Sequence, residues 1–219
     1  MTGTWLGIDT TASPGGVALV ADGMILMESI LPVRALHSEK LLPAVSQLMG
    51  SLDISGEELS GIAISAGPGS YTGLRIGIAT AMGLAAGWGV SVKGVSTLRT
   101  IVSALPETAV LGCVKARRGE VFAGGFHSSN PLSREIVPQG LYSADELTRL
   151  LQGGTFLAVG TGRQELPDIP GILWANPLMD CPRPSLTAFC GALLAAENGF
   201  DDTVEPLYLR EFNQRIKKK

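Results

Sequence analysis

Two segments of this chain carry residue types that can do chemistry. The first is Gly67-Pro68-Gly69-Ser70-Tyr71-Thr72-Gly73. Between a strand and a helix, such a loop aims backbone N–H groups at an anion, and glycine lets a phosphate approach the backbone. The spacing Gly67-x-Gly69-x-x-x-Gly73 is close to, but not, the G-x-G-x-x-G fingerprint, and it lacks the Gly-Lys-Ser/Thr ending of a P-loop. A tight strand–helix turn would use the same residues. The second segment is Asp9-Thr10-Thr11. An acid at the end of a first strand, with hydroxyls after it, can hold Mg²⁺ and phosphate. It can equally cap its own turn. Asp9, Thr10, Thr11, Gly67, Gly69, Thr72 and Gly73 therefore make a candidate phosphate site, active or vestigial, with a self-capped turn as the alternative.

Other chemistries find less support. His37 and His127 are the two histidines, with no pair at helical spacing, so no metal site is expected. The three cysteines, Cys113, Cys181 and Cys190, have no metal-type spacing and no histidine partner. They read as small packing residues of a reduced, cytoplasmic protein. A hydroxyl nucleophile such as Ser70 or Thr72 would lack a base. No catalytic residue is expected.

These segments need elements to position them. Residues 5–9, 17–21 and 24–27 read as three antiparallel strands, the last two joined by an Asp22-Gly23 turn. Leu41, Leu42, Val45, Leu48 and Met49 are spaced for one helix face, with Ser38 as its N-cap. A Ser55/Glu58 capping box precedes a buried strand at 62–65. The glycine loop follows, then a helix over 74–86, a strand at 90–95 and a helix at 97–105. The second half opens on strands 110–115 and 120–126, joined by Arg117-Arg118-Gly119. A Ser143/Glu146 capping box, a strand at 156–159, a proline-rich loop over 166–183 and a helix over 186–197 complete it, with Ser185 as cap and Gly199 as stop. Leu6-Gly7-Ile8-Asp9 and Leu111-Gly112-Cys113-Val114-Lys115 echo each other, each an apolar strand followed by a polar turn and a returning strand. The expected division is an N-terminal, partner-binding lobe at 1–106 and a C-terminal lobe at 107–219.

Composition bounds the partners. The chain has 219 residues, about one and a half times a typical domain. Charged residues are 17%, below the roughly 25% of ordinary soluble domains. With 45% apolar residues and a net charge of -3, the chain is neither disordered nor a generally basic nucleic-acid binder. The uncharged stretch 76–92 is interrupted by Gly77, Gly83, Gly87 and Gly89, so it reads as a buried helix and a strand rather than a membrane span.

The helix over 74–86 explains the missing charge. It is apolar around most of its circumference, which marks burial on several sides. Two small-residue stripes run along it: Gly73, Gly77, Ala81 and Ala79, Gly83, Gly87. One can pack on the chain's own sheet. The other, with Ile76, Ala79, Thr80, Gly83 and Ala86, can meet a second protein, and Leu41, Val45 and Leu48 of the earlier helix can extend the patch.

Several blocks together resemble the TsaB (YeaZ) family over nearly the whole chain. They are Ile8-Asp9-Thr10-Thr11, His37-Ser38-Glu39-Lys40-Leu41-Leu42-Pro43, Ala66-Gly67-Pro68-Gly69-Ser70-Tyr71-Thr72-Gly73-Leu74-Arg75-Ile76-Gly77, Ala116-Arg117-Arg118-Gly119-Glu120-Val121-Phe122 and Pro206-Leu207-Tyr208-Leu209-Arg210. The resemblance implies an α/β fold of the actin/Hsp70/sugar-kinase type (ASKHA, RNase H-like), with two related lobes. It implies a non-catalytic scaffold and activator in making N6-threonylcarbamoyladenosine (t6A) at adenosine 37 of tRNA. The implied partners are TsaD, the paralogue that transfers threonylcarbamoyl, and the ATPase TsaE. A homodimer would use the same helices, and tRNA would be reached indirectly through the complex. ATP or ADP with Mg²⁺, and threonylcarbamoyl-adenylate, would be handled by those partners, leaving no cofactor for this chain. TsaD-type paralogues carry a His-x-x-x-His metal pair after the strand that follows the glycine helix. Here Thr97 and Ile101 stand in those places, and Lys115 stands where family members often have an acid. The alternatives are a small ATP-dependent phosphotransferase or a peptidase of the same superfamily.

Overall fold

In the computed structural model, residues 2–31, 37–151 and 153–209 are described. Among them, ten strands build two five-stranded sheets. The first contains β1 (Thr4–Asp9), β2 (Gly16–Ala21), β3 (Met24–Ile30), β4 (Gly61–Gly67) and β5 (Val92–Ser96), in the order β3-β2-β1-β4-β5. β2 runs antiparallel to both β1 and β3, and β4 runs parallel to β1 and β5. The runs Trp5-Leu6-Gly7-Ile8 and Val17-Ala18-Leu19-Val20 are buried throughout, as expected of strands covered on both faces. Asp22 and Gly23 both have positive φ (49° and 81°), the geometry of a two-residue hairpin whose twist matches its strands.

The second sheet contains β6 (Val110–Arg117), β7 (Glu120–Phe126), β8 (Glu135–Ser143), β9 (Phe156–Val159) and β10 (Ile172–Trp174), in the order β10-β9-β6-β7-β8. Read from β8, its order and strand senses repeat those of the first sheet. The faint echo between residues 6–9 and 111–115 is thus one corner of a duplicated architecture. β8 and β10 are the strands that sequence patterning does not reveal. β8 contains Pro138 and Gly140 and buries Val137 alone, so it lacks alternation. β10 is three residues long and lies within the proline-rich stretch.

Five α-helices cover the sheets: α1 (His37–Ser51), α2 (Tyr71–Trp88), α3 (Thr97–Val102), α4 (Ala144–Leu150) and α5 (Pro184–Asn198). α1 and α2 cover one face of the first sheet, where Leu41, Leu48 and Ile78 pack among Leu6, Ile8, Leu19, Ile62 and Ile64. The expected division at 106/107 does not survive on its C-terminal side. α5 returns to the first sheet and covers its second face, with Ala188, Cys190, Ala192 and Ala195 against Trp5, Val20, Ala63 and Val95. Beyond it, Phe200 stacks on Trp5 with centroids 5.6 Å apart. The Asp201 carboxylate accepts from Lys93 Nζ and Gly94 N, each at 2.8 Å, and Val204 joins the first core. In exchange, α3 sends Leu98, Ile101 and Val102 against Val110, Phe126 and Val159 of the second sheet.

Local signals account for most helix ends. Ser143 and Glu146 form the expected capping box, with Ser143 N donating to Glu146 Oε2 at 2.8 Å. Ser55 N donates to Glu58 Oε2 at 2.6 Å ahead of a short 3-10 turn. Two expected caps are corrected. α1 starts at His37, so Ser38 lies inside its first turn. α5 is entered through Arg183, with Pro184 in the first turn, where a missing N–H costs nothing. One of its free backbone donors is met from a distance: Ser185 N donates to Glu28 Oε1 of β3 at 2.9 Å, and the Arg183 side chain holds the same carboxylate, its Nε donating to Glu28 Oε2 at 3.0 Å. A carboxylate is the favoured partner at a helix's positive end. Among the described residues no helix is long and apolar enough to cross a membrane. Cys113, Cys181 and Cys190 are free thiols.

Candidate functional site

β1 and β4 are parallel neighbours, with Ile8 opposite Ile64. Their carboxyl ends, Asp9 and Gly67, therefore emerge at the same edge of the sheet. This brings the Asp9-Thr10-Thr11 turn against the glycine loop, as the phosphate-site reading requires. The polar groups, however, engage one another. Asp9 is fully buried. Its Oδ1 accepts from Thr11 N at 2.9 Å and Thr11 Oγ1 at 2.7 Å, and its Oδ2 accepts from the Ser65 hydroxyl. Ser65 Oγ lies 3.0 Å from Thr187 Oγ1 of α5, which closes the network from above. Thr10 Oγ1 donates to the Gly73 carbonyl at 2.7 Å, and Ser70 N donates to the Thr11 carbonyl at 2.7 Å. Ser70 also caps α2, its Oγ accepting from Gly73 N at 3.2 Å.

The glycines serve the same packing. A Cβ on Gly69 would stand 2.5 Å from the Thr11 carbonyl oxygen, and one on Gly73 would stand 1.9 Å from that of Thr10. The close approach they permit is that of the protein's own Asp9-Thr10-Thr11 turn. Thr72, the remaining member of the predicted set, is exposed at the start of α2. Sequence reasoning missed Ser65 and Thr187. Thr187 lies 122 residues beyond Ser65, and nothing local marks it.

Burial pushes the Asp9 carboxyl above its usual 3.8, against the opposing hydrogen bonds from Ser65 and Thr11. A folded-state pKa raised above the unfolded one means that the fold takes up a proton. The stabilising contribution of that proton is complete below about pH 4 and is lost as pH rises through the folded pKa. Asp9→Asn keeps an acceptor for Thr11 N and removes the charge. It should flatten the dependence of stability on pH above about 4 and hold or raise stability at neutral pH. Thermal melts of both proteins from acid to neutral pH check this; an unchanged pH profile would place the titration elsewhere.

The other positions of interest are tied into their lobes. Lys115 Nζ pairs with Glu165 Oε1 at 2.5 Å, and Lys115 N donates to Thr161 Oγ1 at 3.1 Å. Thr97 and Ile101 are both buried on α3, Ile101 in apolar surroundings. Among the described residues no cluster of His, Cys, Asp and Glu could hold a metal.

The two small-residue stripes of α2 part company as expected. Gly73, Gly77 and Ala81 are buried, and a Cβ on Gly77 would meet Thr10 Oγ1 at 2.1 Å. Ala79, Gly83 and Gly87 are exposed, and a Cβ on Gly83 or Gly87 would meet nothing within 4 Å. Ala86 is exposed beside them, and Ile76 and Thr80 are half-buried. The extension onto α1 is corrected. Leu41, Val45 and Leu48 are 1%, 2% and 1% exposed and belong to the chain's own core. The apolar face of an amphipathic helix packs on its own sheet. The outer side of α1 instead presents Leu42, Pro43, Ser46 and Gln47.

At the first turn of α2 a further group assembles. Leu207 N donates to the Ala66 carbonyl at 2.6 Å, laying residues 206–209 along the end of β4. Tyr208 then stacks on Tyr71 with centroids 5.6 Å apart. The Arg75 guanidinium lies 4.3 Å from the Tyr71 ring centroid, and its Nε donates to Tyr208 Oη at 3.3 Å.

With this geometry in hand, comparison with known proteins is decisive. A family model described as TsaD, tRNA N6-adenosine threonylcarbamoyltransferase, matches residues 30–166. The tRNA threonylcarbamoyladenosine biosynthesis protein TsaB of Bacillus subtilis is 33% identical over 198 residues, covering 86% of each chain. The chain belongs to the TsaB family. A TsaB of Escherichia coli is 29% identical over 225 residues, covering 94% of each chain. YeaZ from Pseudomonas aeruginosa shares the fold with a TM-score of 0.80 at 24% identity, covering 95% of this chain and 100% of its own. The two repeated sheets are thus the two lobes of an actin/Hsp70/sugar-kinase-like fold, and TsaB membership places the chain in t6A biosynthesis.

Proposed function

We propose that this chain is a non-catalytic scaffold and activating subunit of the machinery that installs t6A at adenosine 37 of tRNA. It pairs with a TsaD-type transferase, and a TsaE-type ATPase joins the pair. ATP or ADP with Mg²⁺, and threonylcarbamoyl-adenylate, belong to those partners. The whole assembly works in the cytoplasm. The observation that carries this reading is the outer stripe of α2, where Ala79, Gly83 and Gly87 leave an apolar helix bare on one side. Small residues let a second helix approach closely enough for extensive dispersion contact. The same face can receive a second copy of this chain, so a homodimer and the heterodimer would compete for it. The filled Asp9 locus supports the absence of catalysis, since the acid that a phosphotransferase would use is buried beneath Ser65 and Thr187.

The test is co-purification with the TsaD of the same organism, followed by t6A measurement in tRNA with and without this chain. A stable pair and a strong dependence of modification on this chain are expected. Full modification by TsaD, TsaE and the adenylate source alone would overturn the reading.

A further inference from the structure

The outer stripe of α2 does not begin at Ala79. Counting back in fours from Gly87 through Gly83 and Ala79 gives Arg75 and Tyr71, and all five residues are exposed. Residues four apart lie on one helix face. The first turn of that face is built differently from the rest. Tyr208 is laid against it and stacks on Tyr71, yet the two rings keep 44% and 48% exposure.

Arg75 is the single charged residue among the 18 of α2. Its guanidinium lies over the Tyr71 ring, and its Nε is tethered to the Tyr208 hydroxyl. Among the described residues it makes no ion pair, and its two terminal nitrogens have no hydrogen-bond partner. A guanidinium already stacked and tethered loses little freedom on binding, and its terminal nitrogens match the two oxygens of a carboxylate. Tyrosine and arginine are also the residues that most often carry the binding energy of a protein interface. One guanidinium at the end of an apolar helix face suits a single carboxylate better than the run of phosphates on which RNA affinity rests.

We infer that the Tyr71–Arg75–Tyr208 group is the polar anchor of the pairing face: it takes a carboxylate side chain from a helix of the TsaD-type partner, and so selects that partner over a second copy of this chain. The inference rests on the proposed pairing through α2. The choice of occupant follows from charge. In a self-pair, Arg75 would draw its carboxylate from α1 or α2 of the second copy. α2 has none, and α1 has one, Glu39, with Lys40 next to it. A second copy therefore matches the apolar stripe but serves the guanidinium poorly. Specificity between two occupants of one apolar face is commonly set by such a charge.

The experiment measures affinity for the TsaD-type partner by titration calorimetry, and self-association by sedimentation equilibrium, on the full chain and its variants. Arg75→Glu should weaken pairing by about 30-fold or more, the loss expected when a desolvated charge pair becomes a like pair. Its self-association constant should stay within about threefold of wild type. Tyr208→Phe keeps the stack and removes the tether, and should weaken pairing by about threefold or more. Both variants should melt as wild type does, because the group is exposed. Arginine placed in turn at each acid of the partner's docking helices should restore pairing with Arg75→Glu at one position. Failure of that rescue everywhere would overturn the carboxylate contact. Wild-type partner affinity in Arg75→Glu, with Gly83→Arg still blocking, would overturn the inference and leave the α2 face standing. A wild-type chain without measurable affinity for the partner would overturn the proposed function, and the inference with it. Equal losses of pairing and self-association in Arg75→Glu would overturn the selectivity. Loss of tRNA binding by isolated Arg75→Glu at unchanged partner affinity would make the group an RNA contact instead.

Discussion

Replacing Gly83 with arginine should abolish pairing with the TsaD-type partner and leave the chain folded and slightly more stable. The two halves of this expectation have separate causes. Within the chain, Gly83 sits in the interior of α2, and a Cβ there meets nothing within 4 Å. Glycine is worse than other residues in a helix interior by about 1 kcal/mol, so arginine relieves that cost without a clash. Across the interface the effect reverses. Helices meeting over small residues lie about 8 Å apart, and an arginine on that line must push them apart or bury a charge without a partner. An affinity loss of about a hundredfold or more is expected in titration calorimetry, with a melting temperature at or above that of wild type. Wild-type affinity in a well-folded Gly83→Arg protein would remove α2 as the docking face. A lowered melting temperature would show that the stripe is packed against something within the chain.

Gly73→Ala should have the opposite signature, a severe loss of stability. The added methyl would stand 1.9 Å from the Thr10 carbonyl oxygen. That neighbour is backbone and cannot swing aside. Separating the two segments would break the Thr10–Gly73 hydrogen bond and the contact of Ser70 N with Thr11, and would open the buried Asp9 network to water. The expected cost is about 3 kcal/mol or more, in the range of overpacked cores that also lose buried hydrogen bonds. Chemical denaturation would show it as a clear fall in the midpoint. A phosphate cradle predicts something different: Gly73→Ala would fold normally and lose nucleotide affinity. A denaturation midpoint equal to that of wild type would therefore favour the cradle over the packing seen here.

Much of this architecture could be read from residue patterns, and the exceptions have physical causes. Strands buried on both faces announce themselves as unbroken apolar runs, so β1, β2, β4, β6 and β9 are legible. The stripe on α2 is legible because glycine and alanine at helical spacing leave a signature whichever side they face. What the spacing does not reveal is the residue that fills the inner stripe, Thr10, which seats against Gly77. Leu41, Val45 and Leu48 mislead for the same reason. Periodicity identifies the apolar face of α1, and only the sheet beneath it decides that this face is covered. The Asp9 locus shows the deepest limit. The sequence brings an acid, hydroxyls and glycines to one edge of a sheet, but whether they bind a ligand or one another turns on Ser65 and on Thr187, which arrives from the far end of the chain.

The exchange of helices between the lobes constrains the order in which the molecule can be completed. Synthesis delivers the five strands of the first sheet before residue 97, yet the helix that covers their second face spans residues 184–198. Until α5 emerges, Trp5, Val20, Ala63 and Val95 form an open apolar surface on a nascent chain whose first half is otherwise ready to fold. α3 lacks its seat until β6 and β7 follow it. Domains usually fold as units from the N-terminus during synthesis, and exposed apolar faces invite aggregation meanwhile. This chain cannot finish either lobe early, so its first sheet depends on residues 184–198, made long after its own strands, to become a closed body.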